Sequence, residues 1–189
     1  YVESNFHGKG WKSSVKTTQE LSKGFHLTVA APISEPRGSS SATDITPIEA
    51  AMIGWIVTVG IAQTEHTYAN DIRSLLGKMN YSEYKSKNSD MTYFSLSFRN
   101  ADMLFAKAGI EARPISAPNY AGLPALVTRL SEEARKAMLN AMNKAEGNLR
   151  PSGYWRFSQK NPNVLEAWEI LNVLAGVRLG KLGMDVDSG

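Results

Sequence analysis

Apolar positions gather from Ile45 onward, and their spacing divides the chain into segments. In DITPIEAAMIGWIVTVGIA, Ile45, Ile48, Met52, Trp55, Ile56 and Val59 recur at three- and four-residue steps, the period of one helical face. Thr46 and Glu49 make an S/T-x-x-E capping box, with Pro47 at the first helical position, so this helix starts sharply. Val57, Val59 and Ile61, with Gly60 as a break, also allow a strand-like ending. A second helix is predicted over Thr67–Met79, presenting Tyr68, Ile72, Leu75, Leu76 and Met79. The polar YSEYKSKNSD at 81–90 reads as a loop.

A third helix is expected from about Met91 to the C-cap glycine Gly109, with Phe94, Phe98, Ala101, Leu104, Phe105 and Ala108 on its buried face. Next, IEARPISAPNYAGLPA carries three prolines and one glycine, Gly122, which excludes a regular element; long irregular segments in compact cores are often functional. ALVTRLSEEARKAMLNAMNKAEG is helical, bent near Ser131 and ended by Gly147. In NPNVLEAWEILNVLAGVRLGK, Asn161 caps, Pro162 starts the helix, and Leu165, Trp168, Leu171, Leu174 and Val177 form an apolar stripe. The tail KLGMDVDSG reads as mobile.

Residues 1–44 are polar and hold one strand-like run, HLTVAAPI at 26–33, before the linker EPRGSSSATD. They read as an arm, whose anchors Phe6, Trp11, Phe25, Leu27 and Ile33 suit docking on its own surface or a neighbour's. The expected fold is mainly α: a single helical core domain at 45–147, an extended N-terminal arm at 1–44 for contacts between subunits, and a C-terminal extension at 148–189 with its helix and tail.

With 189 residues the chain suits one domain with arms. It has no cysteine, which excludes disulfides and thiol chemistry, and His7, His26 and His66 are scattered without ligand spacing. No cofactor or metal is expected. The apolar run at 50–62 is too short and too broken by glycine to span a bilayer, so the expectation is a soluble intracellular protein without a membrane partner. The net charge is +3, and basic against acidic residues run 5 to 4 in 1–44, 11 to 10 in 45–147 and 5 to 4 in 148–189. No segment is a basic tail. A monomer of this charge neutralises few phosphates, whereas a polymer needs only a few contacts from each copy.

Enzymatic chemistry finds no support in the sequence. HGKGWKSS lacks the spacing of a phosphate loop, so Lys9 and Lys12 read as solvated arm charges. Glu132 and Glu133 are adjacent on a helix and cannot face one pocket as acid and base. Arg99 and Asp102 are three apart and can pair along a helix surface, which leaves Asp102 as a local support. What remains is a set of arginines around the irregular loop: Arg99, Arg113, Arg129 and Arg135, with Phe98, Asn100, Asn119 and Tyr120 among them. Guanidinium groups on phosphates, with aromatic faces or amides on bases, are the means of holding single-stranded nucleic acid.

The order of features from about 90 to 136 resembles the core of coat proteins from flexible filamentous plant viruses, most nearly the closterovirus kind. An arginine-bearing helix, FRNADMLF with Arg99 and Asp102, leads into a proline- and glycine-containing loop ending in NYAGLPA, then into a helix with Glu133 eight residues beyond Ala125. The resemblance covers roughly a quarter of the chain. It implies a mainly helical subunit with terminal arms that polymerises around single-stranded genomic RNA in the virion and host cytoplasm, with Arg99 at the RNA and Glu133 orienting a basic partner. The family's acid is typically an aspartate followed by an aromatic, whereas this chain reads SEEAR. The RNA contacts expected on this reading are Arg99, Arg113, Arg129, Arg135 and Lys136, with Ser97, Asn119 and Tyr120 closing on base or sugar. Two other classes stay open: a helical protein-interaction or scaffold module, and a small helical enzyme.

Overall fold

The computed structural model describes residues 2–6, 11–15, 26–27 and 43–177, apart from 60, 78, 112–118, 152 and 154. For the three segments before residue 43, and for Val59 and Phe98, the description is of the backbone alone. The arm anchors Phe25 and Ile33, Gly60, Arg113 and the tail from 178 lie outside it.

Helix α1 (Pro47–Val59) begins at the predicted capping box. The Thr46 amide donates to Glu49 Oε2 at 2.8 Å, and the Glu49 amide returns a bond to Thr46 Oγ1 at 3.2 Å. Met52, Ile53, Trp55 and Val57 are buried, but Ile48 stands half exposed rather than in the core. The helix is followed by strand β4 (Ala62–Thr64) and by helix α2 (Ala69–Leu76), which buries Ala69, Ile72 and Leu76.

Two expectations fail in the next segment. Tyr81–Lys85 is strand β5 rather than loop, and Met91–Leu96 is strand β6 rather than the first turns of a helix. Thr92 and Phe94 point inward while Tyr93 and Ser95 face out, a period of two that fits MTYFSLS as well as the helical spacing does. β6 pairs antiparallel with both β5 and β4, in the order β4-β6-β5. Helix α3 (Phe98–Ala108) starts only after Ser97, whose side chain accepts from the Asn100 amide, and ends at Gly109, with φ 67°.

The run after the irregular loop is two helices. In α4 (Leu123–Arg129) Pro124 lies within the first turn; Leu130 is extended; then Ser131 caps α5 (Glu132–Glu146) by accepting from the Ala134 amide at 3.2 Å. A short ribbon of β7 (Asn148–Leu149) and β8 (Trp155–Arg156), not anticipated, precedes α6 (Pro162–Leu174). Asn161 caps α6 by accepting from the amides of Asn163 and Val164. The buried stripe of α6 is Val164, Ala167, Trp168, Leu171 and Asn172, while Leu165 and Leu174 are partly exposed and Val177 is exposed. Ahead of the core, β1 (Val2–Phe6), β2 (Trp11–Val15) and β3 (His26–Leu27) make a sheet of their own, ordered β2-β1-β3. The arm therefore holds three strands rather than one. The fold is mixed helix and sheet, with six helices among the described residues and small antiparallel sheets, instead of clearly mainly α.

The main packing is α1 against α5, with α4 and α5 on α6. Gly54 lets α1 and α5 approach closely: a Cβ there would stand 2.9 Å from the Met138 carbonyl oxygen and 3.1 Å from Ala141 Cβ. Gly54→Ala should therefore destabilise the fold by about 1–3 kcal/mol through overpacking, although alanine favours a helix interior over glycine by about 1 kcal/mol. Equilibrium urea unfolding reads the sign, and a more stable variant would show that the helices yield.

Candidate nucleic-acid interface

Arg99 lies exposed in the first turn of α3, two residues after the Ser97 cap, and no ion pair within 4 Å engages it among the described residues. The expected Arg99–Asp102 pair is therefore absent; Asp102 is exposed but is held by an interaction of its own. Ser97, also exposed, spends its acceptor on the cap while its hydroxyl proton remains available.

Arg129 sits at the other end of α3. Its Nε donates to the Ala125 carbonyl at 3.3 Å, and a Cβ at Gly109 would stand 3.9 Å from its Nη2. The guanidinium thus covers the C-terminal cap of α3, where the helix dipole favours a cation. An 11-residue helix spans roughly 16 Å. Arg99 and Arg129 therefore mark opposite ends rather than one cluster.

Asn119 and Tyr120 dock the irregular segment onto the start of α6. Asn163 Nδ2 donates to both the carbonyl and Oδ1 of Asn119 at 2.9 Å, and Asn161 Nδ2 donates to the same carbonyl at 3.3 Å. Tyr120 adopts φ 53°, a left-handed conformation unusual outside glycine, and its ring lies 5.9 Å from that of Phe105. Burial pushes its phenol above the usual range. Gly122 permits this turn, since a Cβ on it would meet the Gly109 carbonyl oxygen at 2.3 Å.

Arg135 and Lys136 lie instead near the C-terminal end of α6, around a cavity of about 280 Å³ lined by Glu132, Leu139, Leu171, Leu174 and Ala175. Arg135 is only 5% exposed and is engaged within the protein, which removes it from the open surface on which an RNA contact was expected. Lys136 is exposed but pairs with Glu132 one turn earlier, and Glu133 is exposed beside them. Arg99, Arg129 with Asn119 and Tyr120, and Arg135 with Lys136 occupy separate places on the described structure.

The strongest electrostatic cluster was not anticipated from sequence. Arg73 on α2 donates through Nη2 to Glu65 at 2.7 Å and to Glu83 on β5 at 2.5 Å, and its guanidinium lies 5.6 Å from the centre of the Phe94 ring on β6. Thr92 Oγ1 donates to Glu65 at 2.6 Å. Hydrogen bonds from Arg73 and Thr92 hold the Glu65 carboxyl down to about 2. These groups fasten the sheet to α2, and only the period-two alternation of 91–96 hints at them in sequence. On the outer face of the same sheet, Tyr84 and Tyr93 lie opposite each other with ring centres 6.4 Å apart.

Among the described residues no group of three acidic or histidine side chains could hold a metal ion, and no helix is long and apolar enough to cross a membrane. No family model matches the chain, and no curated protein matches it significantly.

Because the folded Glu65 carboxyl titrates near 2 against an ordinary 4.5, its stabilisation is present above pH 4.5 and lost as pH falls toward 2. Urea unfolding across that window should show a shallower acid loss for Glu65→Gln than for the parent. Equal slopes would remove Glu65 from the acid response.

Proposed function

We infer that the chain is a viral coat protein, a nucleocapsid subunit that polymerises helically and packages single-stranded genomic RNA with little sequence preference, within virions formed in the host cytoplasm. The observation that carries this reading is Arg99, an exposed cation without an ion pair among the described residues, on the first turn of an 11-residue helix. The backbone amides and dipole of a helix N-terminus favour phosphate, and the guanidinium adds charge and bidentate donors at the same end. Ser97 and Asn100 add a hydroxyl and an amide beside it.

The low charge of the chain supports a polymer over a monomeric binder. Lys107, Lys136, Lys144 and Arg73 are committed to acidic partners, which lowers the number of cations each copy offers to a phosphate backbone. Self-assembly has a surface to draw on in the half-open groove of about 460 Å³ between α1, α2 and α5, where Ile48 is 53% exposed. On this reading Arg99 leads the RNA contacts with Ser97 beside it, Arg129 and Tyr120 chiefly hold the loop, and Arg135 is internal.

The same groove favours a second reading, a protein-interaction module without nucleic acid. Negative-stain microscopy and the absorbance ratio at 260 and 280 nm separate the two: filaments with RNase-sensitive absorbance support the coat reading, and discrete particles free of nucleic acid support the module. Arg99→Ala should weaken RNA binding about tenfold or more, the loss expected of a charged hydrogen bond, with Arg99→Lys intermediate. Unchanged binding and assembly would remove Arg99 from the interface.

A further inference from the structure

From β8 toward α6 the accessibility of the chain alternates residue by residue. Trp155, Phe157 and Gln159 are partly buried, whereas Arg156, Ser158 and Lys160 are exposed. A period of two is that of extended backbone with one side turned inward. The inward side is anchored at each step: a Cβ on Gly147 would stand 2.7 Å from Trp155 Cε3, and Phe157 stacks on Trp168 with ring centres 4.9 Å apart. Gln159 Nε2 donates to the Thr58 carbonyl at 3.3 Å and to Glu146 Oε2 at 2.8 Å, while its Oε1 accepts from the amides of Lys160 and Asn161.

The outward side is basic. Asn148 lies opposite Arg156 in the register of β7 against β8, so its exposed amide shares that face. Arg150 opens the turn of the same hairpin, where the Gly153 amide donates to its carbonyl at 2.8 Å, and its side chain is exposed. Neither Arg150 nor Lys160 has an ion pair within 4 Å among the described residues, and Arg156 is exposed with an interaction of its own. No acid occurs between Glu146 and Glu166, and Glu146 is bonded to Gln159 on the inward side. Arg156 and Lys160 are separated by at most about 14 Å of extended chain.

We propose that the outward edge of residues 156–160, with Arg150 at the adjoining turn, is a second contact for the phosphate backbone of single-stranded RNA. This contact presupposes the coat-protein reading and draws on different elements from Arg99. Cations with no acid between them suit a polyanion, and the Ser158 hydroxyl and Asn148 amide are further donors for phosphate oxygens. Trp155 and Phe157 are turned inward, so the edge meets charge rather than bases, in keeping with packaging of little sequence preference. The inward anchoring holds the row in place before RNA arrives, which limits the ordering cost of binding.

The test is fluorescence anisotropy of a labelled single-stranded RNA of about 12 nucleotides, within the usual footprint of single-strand sites, with the full chain across a salt series. Arg156→Gln/Lys160→Gln should bind about tenfold or more weakly at low salt, as the loss of two charged hydrogen bonds implies. The slope of log affinity against log salt should flatten by about 0.7 for each phosphate contact removed, and again when Arg150→Gln is added. Lys85→Gln/Lys87→Gln removes the same charge elsewhere on the surface and should stay within about twofold of the parent, because it removes no phosphate contact. Circular dichroism and urea unfolding check that the variants fold; Lys160→Gln alone, at a cation without an ion pair, carries the test if the double variant does not.

RNA binding equal to the parent's in Arg156→Gln/Lys160→Gln, or an equal loss in Lys85→Gln/Lys87→Gln, overturns the contact. If Arg99→Ala weakens binding in the same assay, the coat reading survives that failure. A loss in Arg156→Gln/Lys160→Gln with none in Arg99→Ala supports the edge and removes Arg99 from the RNA. A parent chain that binds no RNA overturns both. Labelled polyglutamate bound by the parent in place of RNA, and released in the same variant, also overturns the contact and makes the edge a surface for an acidic protein segment.

Discussion

The close approach of α1 and α5 at Gly54 is the constraint on which the described core depends. A glycine there brings the backbone of α1 against the Met138 carbonyl, and the contact carries Met52, Ile53, Met138 and Met142 into full burial. α5 also meets α6, where the indole of Trp168 donates to Asn143 Oδ1 at 2.8 Å and Phe157 stacks on the same indole at 4.9 Å. Two buried amides, Asn143 and Asn172, are satisfied in this region, so their burial costs little and fixes which face of α6 turns inward. The sheet is attached to the same frame by Gln63, whose Nε2 donates to the Lys144 carbonyl near the end of α5. A change at the α1–α5 contact is therefore felt by α6 and by the sheet.

Local signals were legible where one rule governed them. Thr46, Pro47 and Glu49, the Ser131 and Asn161 caps and the Gly109 C-cap each stand where their chemistry placed them, because capping is decided within four residues. The segment 91–96 misled because Phe94 satisfies a helical period when joined to Phe98 and Ala101, and a strand period when joined to Thr92 and Leu96. The choice between them is made by β4 and β5, and YSEYK, polar on its exposed edge, gives little sign that it is a strand. The shift of the α6 stripe from Leu165 and Leu174 to Val164, Ala167 and Asn172 has a similar cause: contacts with α4 and α5, not spacing alone, choose the inner face.

The candidate site was legible only in part, for an electrostatic reason. Sequence shows where arginines are, but not what acids they will meet. Arg73 passed without notice and became the centre of the sheet's attachment, while Arg135 was expected at RNA and lies inside. Lys107 bridges the far end of α3 to Glu49 at 2.9 Å, tying that helix to the cap of α1. Each of these pairs joins residues close in space and most are distant in sequence, so composition could not separate committed cations from available ones.

That separation gives the low net charge its meaning. After the internal pairs are formed, Lys85, Lys87, Arg99, Arg129, Arg150 and Lys160 are left without an ion pair within 4 Å in the described structure, and of these Arg99 stands in the first turn of α3. β6 ends at Leu96, and Ser97 alone stands between it and α3. The strand that holds Tyr93 outward therefore also delivers Arg99 to the first turn of the helix. Its inward residues Thr92 and Phe94 are fixed by Glu65 and Arg73, so the register of one strand governs both surfaces. A one-residue slip would bury Tyr93, expose Phe94 and shift the start of α3, which makes the Arg73 cluster on the inner face the element that holds the outer face and the helix start in place together.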